Sequence, residues 1–145
     1  MNTIIIRLLG PEDASLILNA PDELFDHRPD PDQTRDFLAS SDHKIAAALA
    51  GRQMVAFASG QKMLHPDKPP AFIINEVGTL ETWQRNGLAT RVCEVLIEEA
   101  RTMGCKGIWV ATEAVNRPAR ALYRKLGARE TKAIVIYDWD GAMDG

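Results

Sequence analysis

Two kinds of hydrophobic periodicity divide the chain near residue 84. Before that point the apolar residues form short runs bounded by turn-forming residues, which are typical of strands, and the first run is rich in β-branched side chains. These runs lie at residues 3–9, 44–50, 54–63 and 71–80. After residue 84 the apolar residues recur every three or four positions, which is typical of helices that pack on a core. The pattern therefore predicts a first half built mainly of strands and a second half in which helices alternate with strands.

Turn-forming residues separate the runs of the first half. Gly10-Pro11 ends the first strand, and the acidic residues that follow it favour a short helix through their interaction with the helix dipole. Residues 20–31 contain three prolines, which predicts a loop. One further helical turn is predicted over residues 34–39. Gly51-Arg52-Gln53 predicts a hairpin between the second and third strands.

In the second half, the first predicted helix begins at Leu88 and stops at Gly104. A buried strand is predicted over residues 106–112. A second helix is predicted over residues 116–126, because Asn116 can cap its start and Gly127 can close its end. Residues 133–139 predict a last strand. This alternation indicates one mixed α/β domain, residues 1–145, around a single twisted sheet.

Composition narrows the class of protein. The chain has 145 residues, of which 46% are hydrophobic and 26% charged, a ratio typical of one globular domain. Its net charge of −3 argues against nucleic-acid binding through whole-surface charge neutralisation. No apolar run approaches the roughly 18 residues that span a bilayer, and the first residues do not resemble a secretion signal. We therefore expect a cytoplasmic protein without membrane or nucleic-acid partners. The two cysteines and three histidines lack metal-site spacing, so no metal is expected.

Charge is unevenly distributed along the chain. Residues 12–42 contain nine acidic and two basic side chains, whereas residues 84–132 contain ten basic and five acidic ones. The first segment therefore suits a cationic ligand and the second an anionic one. Ordinary solvated surface is the alternative for either segment.

A loop of small and polar residues joins the strand at 71–80 to the first long helix. Such a loop exposes unpaired backbone N–H groups at the positive end of the helix dipole, where phosphate binds well. A bare connection without a ligand is the alternative. The loop consists of Gln84, Arg85, Asn86, Gly87, Leu88, Ala89 and Thr90.

The spacing Gln84-x-x-Gly-x-Ala is followed, after a helix and a strand, by Asn116-x-x-Ala-x-x-Leu-Tyr-x-Lys-x-Gly. Together these motifs resemble the GCN5-related N-acetyltransferase superfamily. The resemblance implies that superfamily's α/β (α+β) fold, a mixed and mostly antiparallel twisted sheet of six to seven strands with about four helices. It also implies acetyl transfer from acetyl-CoA to a primary amine.

The resemblance further implies where the cofactor binds. The diphosphate of acetyl-CoA would lie on the loop Gln84 to Thr90, mainly on its amides from residue 85 onward. The pantetheine arm would pair with the backbone of Val77, Gly78 and Thr79 like an added strand. Asn116 would contact pantetheine at the start of the second helix.

Amine acetylation needs a base, because an alkyl ammonium has a pKa of about 10 and must lose a proton before it attacks. Glu76 stands where the superfamily often keeps an acid, Glu113 is the second candidate, and Glu81 the third. A solvated or ion-paired glutamate is the alternative for each. The resemblance makes Tyr123 the acid that protonates the departing thiolate. Tyr123 follows Asn116 by two helical turns and so lies on the same side of the helix, although it could instead complete the helix's apolar stripe.

The acceptor is indicated by three shorter segments. Ile6-Arg7-x-Leu-Gly-Pro-Glu-Asp, Asp22-Glu23-Leu24-Phe25-Asp26 and Leu126-Gly127-Ala128-Arg129-Glu130 resemble the aminoglycoside 3-N-acetyltransferases of type I. This resemblance implies a polycationic aminoglycoside acceptor and a homodimer. An acidic arm would attract such a substrate. Its members would be Asp22, Glu23, Asp26 and Asp30, with Glu76 and Glu113 deeper in the cleft.

Three residues depart from the superfamily pattern, which more usually has a larger residue in place of Gly78, a proline in place of Glu81 and an arginine in place of Gln84. The family accepts the change at Gln84. Pantetheine pairing should survive the glycine because it uses the backbone. Two alternative functions stay open. One is acetylation of another amine, such as a polyamine, a peptide N-terminus or a small metabolite. The other is a non-catalytic module that binds or senses coenzyme A.

Overall fold

The computed structural model describes residues 3–145 of the chain. It divides into two compact units, one that runs up to Thr112 and one that comprises Glu113–Gly145. The prediction of a single domain over residues 1–145, whose first two residues lie outside the described range, stays a prediction.

The first unit is built on a five-stranded sheet whose strands follow one another in chain order. The first four strands pair antiparallel, and the fifth pairs parallel to the fourth. The predicted mixed, mostly antiparallel sheet is therefore confirmed, but the predicted six to seven strands are wrong. The strands are β1 (Ile4–Leu8), β2 (His43–Ala50), β3 (Gln53–Met63), β4 (Ala71–Thr79) and β5 (Gly107–Val110).

Three α-helices accompany this sheet: α1 (Ala14–Leu18), α2 (Pro31–Ala39) and α3 (Leu88–Thr102). Helix α2 is longer than the turn predicted at residues 34–39, because Pro31 takes its first position and the Asp30 carboxylate accepts a hydrogen bond from the Gln33 N–H at 2.9 Å. The glycine after α3, Gly104, has a φ of +85° and ends the helix as predicted. Short 3₁₀ turns precede α1 and α3.

Small residues allow close packing in the core. The middle of β2 and most of β3 are buried without alternation, so both faces of these central strands are covered. Ala46, Ala48 and Ala56 are completely buried, as are Val92 and Leu96 of α3. Helix α3 therefore packs against the strands that precede the loop from Gln84 to Thr90 (the phosphate-loop segment), and it fixes the position of this segment.

An ion pair fixes the turn after β1. The Arg7 guanidinium donates two hydrogen bonds of 2.9 Å to the carboxylate of Asp13, which also accepts the Gly10 N–H at 2.8 Å. The hydrogen bonds from Arg7 lower the pKa of Asp13. Arg7 and Asp13 belong to the first of the three segments that indicate the acceptor. These two residues therefore have a structural role.

Strand β5 does not match the buried strand predicted at residues 106–112. It covers only Gly107–Val110 and alternates between exposed and half-buried residues. Trp109 is 51% exposed. The prediction of burial was wrong because β5 is the last strand of the sheet and has one strand neighbour, β4.

The second unit contains helix α4 (Arg117–Lys125). The Asn116 side chain caps it by accepting a hydrogen bond from the Ala119 N–H at 3.1 Å, as predicted. Gly127, with a φ of +88°, follows its end. Arg120 and Arg124 both bind the Glu130 carboxylate, which lowers the pKa of Glu130 to about 2.

Residues 133–139 form no strand in the structure, so the predicted last strand is wrong. Ala133 has a φ of +64°, in the left-handed region, which interrupts an extended chain. Ile134, Tyr137 and Trp139 are mostly exposed. A β-branched sequence becomes a strand only when a neighbour satisfies its backbone, and this segment has no such ladder.

Over residues 3–145, the structure contains no helix that combines the length and the apolar character needed to cross a bilayer.

Candidate functional site

A free backbone edge is the central feature of the site in the first unit. Strand β4 pairs with β5 only through residues 71–74, although it continues to Thr79. Its other edge is paired throughout this region, with Phe57 opposite Gly78 and Ser59 opposite Glu76. The backbone groups of residues 75–79 that face away from β3 are therefore available to an extended ligand.

A β-bulge precedes this edge. Ser59 pairs with Glu76 and Gly60 with Ile74, so Asn75 is the extra residue of β4. Gly60 permits this arrangement, because a Cβ there would collide with the Ile73 carbonyl and the Phe72 ring. The bulge bends β4 at the point where β5 stops pairing with it.

The phosphate-loop segment, Gln84 to Thr90, comes after the free edge along the chain. Gly87 is the N-cap of α3 with a φ of +74°, and no side chain caps the amides of the first turn at Leu88, Ala89 and Thr90. A Cβ at Gly87 would meet nothing within 4 Å, so the space around Gly87 itself is open. This geometry can hold an anion such as a diphosphate.

The loop before Gly87 is held in place by its own residues. The Asn86 amide donates to the carbonyls of Trp83 and Gln84, at 3.0 and 3.3 Å. Arg85 has a φ of +66°, which strains a non-glycine residue and turns the loop sharply. Gln84 and Arg85 are both exposed. Of the predicted cofactor residues of this loop, Gln84 to Gly87 are exposed, whereas Leu88 is buried.

Glu76 is the titratable residue beside the free edge. It is accessible to solvent, yet partial burial of its carboxyl raises its pKa, and the negative charge of Asp26 raises it further. The positive form of His27 acts in the opposite direction. A carboxylate whose pKa is raised towards the working pH is suited to accept a proton from a substrate.

The structure brings one member of the predicted acidic arm to Glu76. Asp26 lies in the loop at residues 20–30 and interacts electrostatically with Glu76. Asp22 and Glu23 are exposed at the start of the same loop, in a turn closed by a hydrogen bond from the Leu24 N–H to the Pro21 carbonyl at 3.0 Å. Asp30 serves as the cap of α2.

The remaining predicted site residues belong to the second unit. Glu113 is exposed, and its carbonyl accepts the Asn116 N–H at 3.0 Å. Asn116 caps α4 through its side-chain oxygen. Tyr123 lies two turns further along α4 and is half-buried. The helix therefore holds Asn116 and Tyr123 on one side, as their spacing predicts.

Sequence reasoning missed two contributors to the site. His27 acts on Glu76 but is a lone histidine in a proline-rich loop, and no sequence pattern marks it. Gly78 was expected to matter only as backbone. In the structure, a Cβ on Gly78 would lie 2.8 Å from Cε1 of Phe57 and 3.0 Å from the carbonyl oxygen of Leu24.

Within residues 3–145, no group of three or more His, Cys, Asp or Glu side chains is arranged to hold a metal ion. The expected lack of a metal stays a prediction. The free β4 edge, the open amides of α3 and the Glu76 carboxyl can together hold an extended phosphorylated ligand and place a proton acceptor beside it.

Comparison with known proteins identifies the family. A family model described as "Acetyltransferase (GNAT) family" matches residues 13–128. The aminoglycoside N(6′)-acetyltransferase type 1 of Serratia marcescens is 31% identical over 120 residues, which are 77% of this chain and 78% of the relative. The [ribosomal protein bS18]-alanine N-acetyltransferase of Salmonella typhimurium (strain LT2) is 36% identical over 81 residues. This match covers 56% of the chain and spans only about half, 51%, of that relative.

Solved structures agree on the fold. The aminoglycoside N-acetyltransferase AAC(6′)-Iy in complex with CoA matches with a TM-score of 0.79 at 16% identity, over 97% of each chain. At this identity the likeness shows the fold alone. The aminoglycoside enzymes named in these comparisons are 6′-N-acetyltransferases, so the more specific 3-N-acetyltransferase type I group is not confirmed.

Proposed function

The chain belongs to the acetyltransferase (GNAT) family, and from that premise we propose that it moves an acetyl group from acetyl-CoA to a primary amine of a small polycationic acceptor, an aminoglycoside. Its enzyme class is that of an acetyl-CoA-dependent N-acetyltransferase. The observation that carries the proposal is the free edge of β4 at residues 75–79, which leads directly to the uncapped amides of α3. An extended arm followed by a diphosphate fits that order.

The cofactor binds through backbone in this proposal. Pantetheine amides hydrogen-bond to Val77, Gly78 and Thr79 along the free edge. The diphosphate lies on the loop from Gln84 to Thr90, where the open space next to Gly87 supports a close approach. Asn116 contacts pantetheine with its amide nitrogen, because its side-chain oxygen already caps α4.

The chemistry is a direct transfer. Glu76 accepts a proton from the acceptor ammonium, and the neutral nitrogen attacks the thioester carbonyl carbon. The new C–N bond forms, and the tetrahedral intermediate then breaks its C–S bond. Tyr123 donates a proton to the departing thiolate. The nitrogen, which became positively charged on attack, releases one proton to solvent and Tyr123 recovers one from solvent, so the products are a neutral amide and CoA. Glu76 is preferred to Glu113 as the base because partial burial and Asp26 raise the pKa of its carboxyl.

The acceptor proposal rests on charge. The segment of residues 12–42 has nine acidic side chains, and its loop brings Asp26 to Glu76. Aminoglycosides are polycations, so such a surface attracts them. The likeness to the 6′-N-acetyltransferase of Serratia marcescens supports an aminoglycoside. Nuclear magnetic resonance of the acetylated product decides between the 3-amino group, which the sequence motifs imply, and the 6′-amino group of the relatives.

A peptide N-terminus is the second candidate acceptor. The match to an enzyme named for the alanine of ribosomal protein bS18 favours it. The loop at residues 20–30 (the acidic loop) favours the aminoglycoside. A peptide N-terminus brings one ammonium group, whereas an aminoglycoside brings several.

The test measures CoA release by the purified protein from acetyl-CoA with sisomicin, spermidine and an alanine-terminated peptide. Release confined to sisomicin supports the full proposal. Release with the peptide alone keeps acetyl transfer and replaces the acceptor. Binding of acetyl-CoA without release on any acceptor would make the protein a coenzyme A sensor. Gel filtration tests the homodimer that the sequence resemblance implies, and cell fractionation tests its cytoplasmic location.

A further inference from the structure

Gly78 lies where the acidic loop crosses β4. A side chain here would meet the Leu24 carbonyl oxygen at 3.0 Å and Cε1 of Phe57 at 2.8 Å. Phe57 is only 2% exposed, so its ring is held within the core. The Leu24 contact is to backbone, so a Cβ at residue 78 would need the loop to give by a few tenths of an ångström. The absence of a side chain at Gly78 therefore lets the loop rest closely on the strand.

A second contact anchors the same loop. The rings of Phe25 and Phe57 pack with their centroids 4.4 Å apart and their planes inclined by 32°. Phe57 is the residue directly opposite Gly78 in the β3–β4 register. Two consecutive loop residues thus contact the facing positions Gly78 and Phe57, Leu24 through its carbonyl and Phe25 through its ring. These two residues form the Leu24–Phe25 anchor.

The residues that follow this anchor act on Glu76. Glu76 and Gly78 are two positions apart on β4, after the bulge, so they share one face of the sheet. Asp26 and His27 come directly after Phe25 and are the charged groups whose fields reach Glu76. The position of the Leu24–Phe25 anchor therefore decides whether Asp26 stands beside Glu76.

We propose that Gly78 is a specificity-determining residue, because it seats the Leu24–Phe25 anchor and so places Asp26 beside Glu76, which selects acceptors carrying a second ammonium group near the reacting amine. This inference rests on the proposed acetyl transfer and goes further by naming what chooses the acceptor. A polyamine can pair with both carboxylates, whereas a monoamine can pair with only one of them.

The experiment uses the full chain and two pairs of acceptors, neamine against glucosamine and spermidine against butylamine. The first acceptor of each pair carries several amino groups and the second carries a single one. The variants are Gly78→Ala, Gly78→Val and Phe25→Ala. Gly107→Ala is the control, because a Cβ at Gly107 of β5 would meet nothing within 4 Å. For each protein we measure kcat and KM and, separately, acetyl-CoA binding by calorimetry.

We expect Gly78→Val and Phe25→Ala to reduce the preference for the polyamine about tenfold, as a loss of about 1.4 kcal/mol implies. The loss appears in KM, Gly78→Ala has a smaller effect, and acetyl-CoA binding is retained because the backbone of β4 is unchanged. If Gly78→Val does not bind acetyl-CoA, Phe25→Ala decides, since it loosens the same loop from the other side.

Two adverse results are distinguishable. If the wild-type enzyme is active and its preference for the polyamine is unchanged in both Gly78→Val and Phe25→Ala, the specificity role of Gly78 is overturned. The proposed function then stands. A wild-type protein that binds acetyl-CoA but releases no CoA with any of the four acceptors overturns the proposed function, and the inference with it.

Discussion

Replacement of Glu76 by glutamine tests the proposed proton acceptor most directly. Glutamine keeps the size of the side chain and its capacity for hydrogen bonds, but it cannot accept the proton. At pH 7 an amine with a pKa of about 10 is neutral in only about one molecule in a thousand. An enzyme without the base depends on that fraction, so we expect Glu76→Gln to lower kcat/KM about 1,000-fold, or about 4 kcal/mol in the barrier.

The pH profile separates loss of the base from loss of structure. In the wild type, activity falls as the pH drops through the pKa of Glu76, which burial and Asp26 hold above its ordinary value. In Glu76→Gln this limb disappears, and the rate rises with pH as the neutral amine increases. In Asp26→Asn the limb moves to lower pH, because the negative charge that raises the pKa of Glu76 is gone.

The assay is CoA release followed from acidic to alkaline pH at acceptor concentrations well below KM, where the rate reports kcat/KM. Glu94→Gln on the exposed face of α3 is the matched control and should behave as the wild type. Acetyl-CoA affinity should be equal in all these proteins, because the proposed cofactor contacts are with the β4 edge and the α3 amides and not with the substituted side chains. A Glu76→Gln enzyme that stays within threefold of the wild type at pH 7 refutes the reasoning. So does one that retains the acid limb.

Three further outcomes follow from the structure. Tyr123→Phe should lower kcat about 100-fold and leave acetyl-CoA binding intact, if Tyr123 protonates the thiolate; unchanged turnover in a CoA-release assay removes that role. Asp13→Ala should cost about 2 kcal/mol in the free energy of unfolding, because Arg7 and the Gly10 N–H lose their acceptor. Since the pKa of Asp13 is lowered, this difference should vanish in denaturant titrations as the pH falls through that pKa, and a constant difference contradicts it. Burial raises the pKa of Cys93 to about 12, so iodoacetamide at pH 8 should label it only after denaturation, as mass spectrometry can show.

Elements with local signals were predictable from the sequence. The hairpin between β2 and β3 follows from two apolar runs around Gly51, and α3 follows from its apolar stripe and the glycine at its end. The Asn116 cap of α4 was also predicted, because a cap depends on a side chain and backbone three residues apart.

The failures concern contacts that are distant in sequence. Residues 133–139 have strand-forming composition, but a strand also needs a partner, and composition does not name one. Strand β5 was expected to be buried, yet its place at the edge of the sheet leaves Trp109 half exposed. Asp26 was among several equivalent acids, and only the packing of Leu24 and Phe25 distinguishes it.

Strand β4 can serve both substrates because its edge and its face point in different directions. Its backbone edge, in the plane of the sheet, is free for the cofactor, while Glu76 and Gly78 project from one face towards the acidic loop. The bulge at Asn75 sets this division. Ile74 and Glu76 are two positions apart but pair with the adjacent residues Gly60 and Ser59 of β3, so the bulge places their side chains on opposite faces of the sheet. The bulge therefore sets the face on which Glu76 stands, whereas the proposed cofactor contacts use the backbone edge of β4.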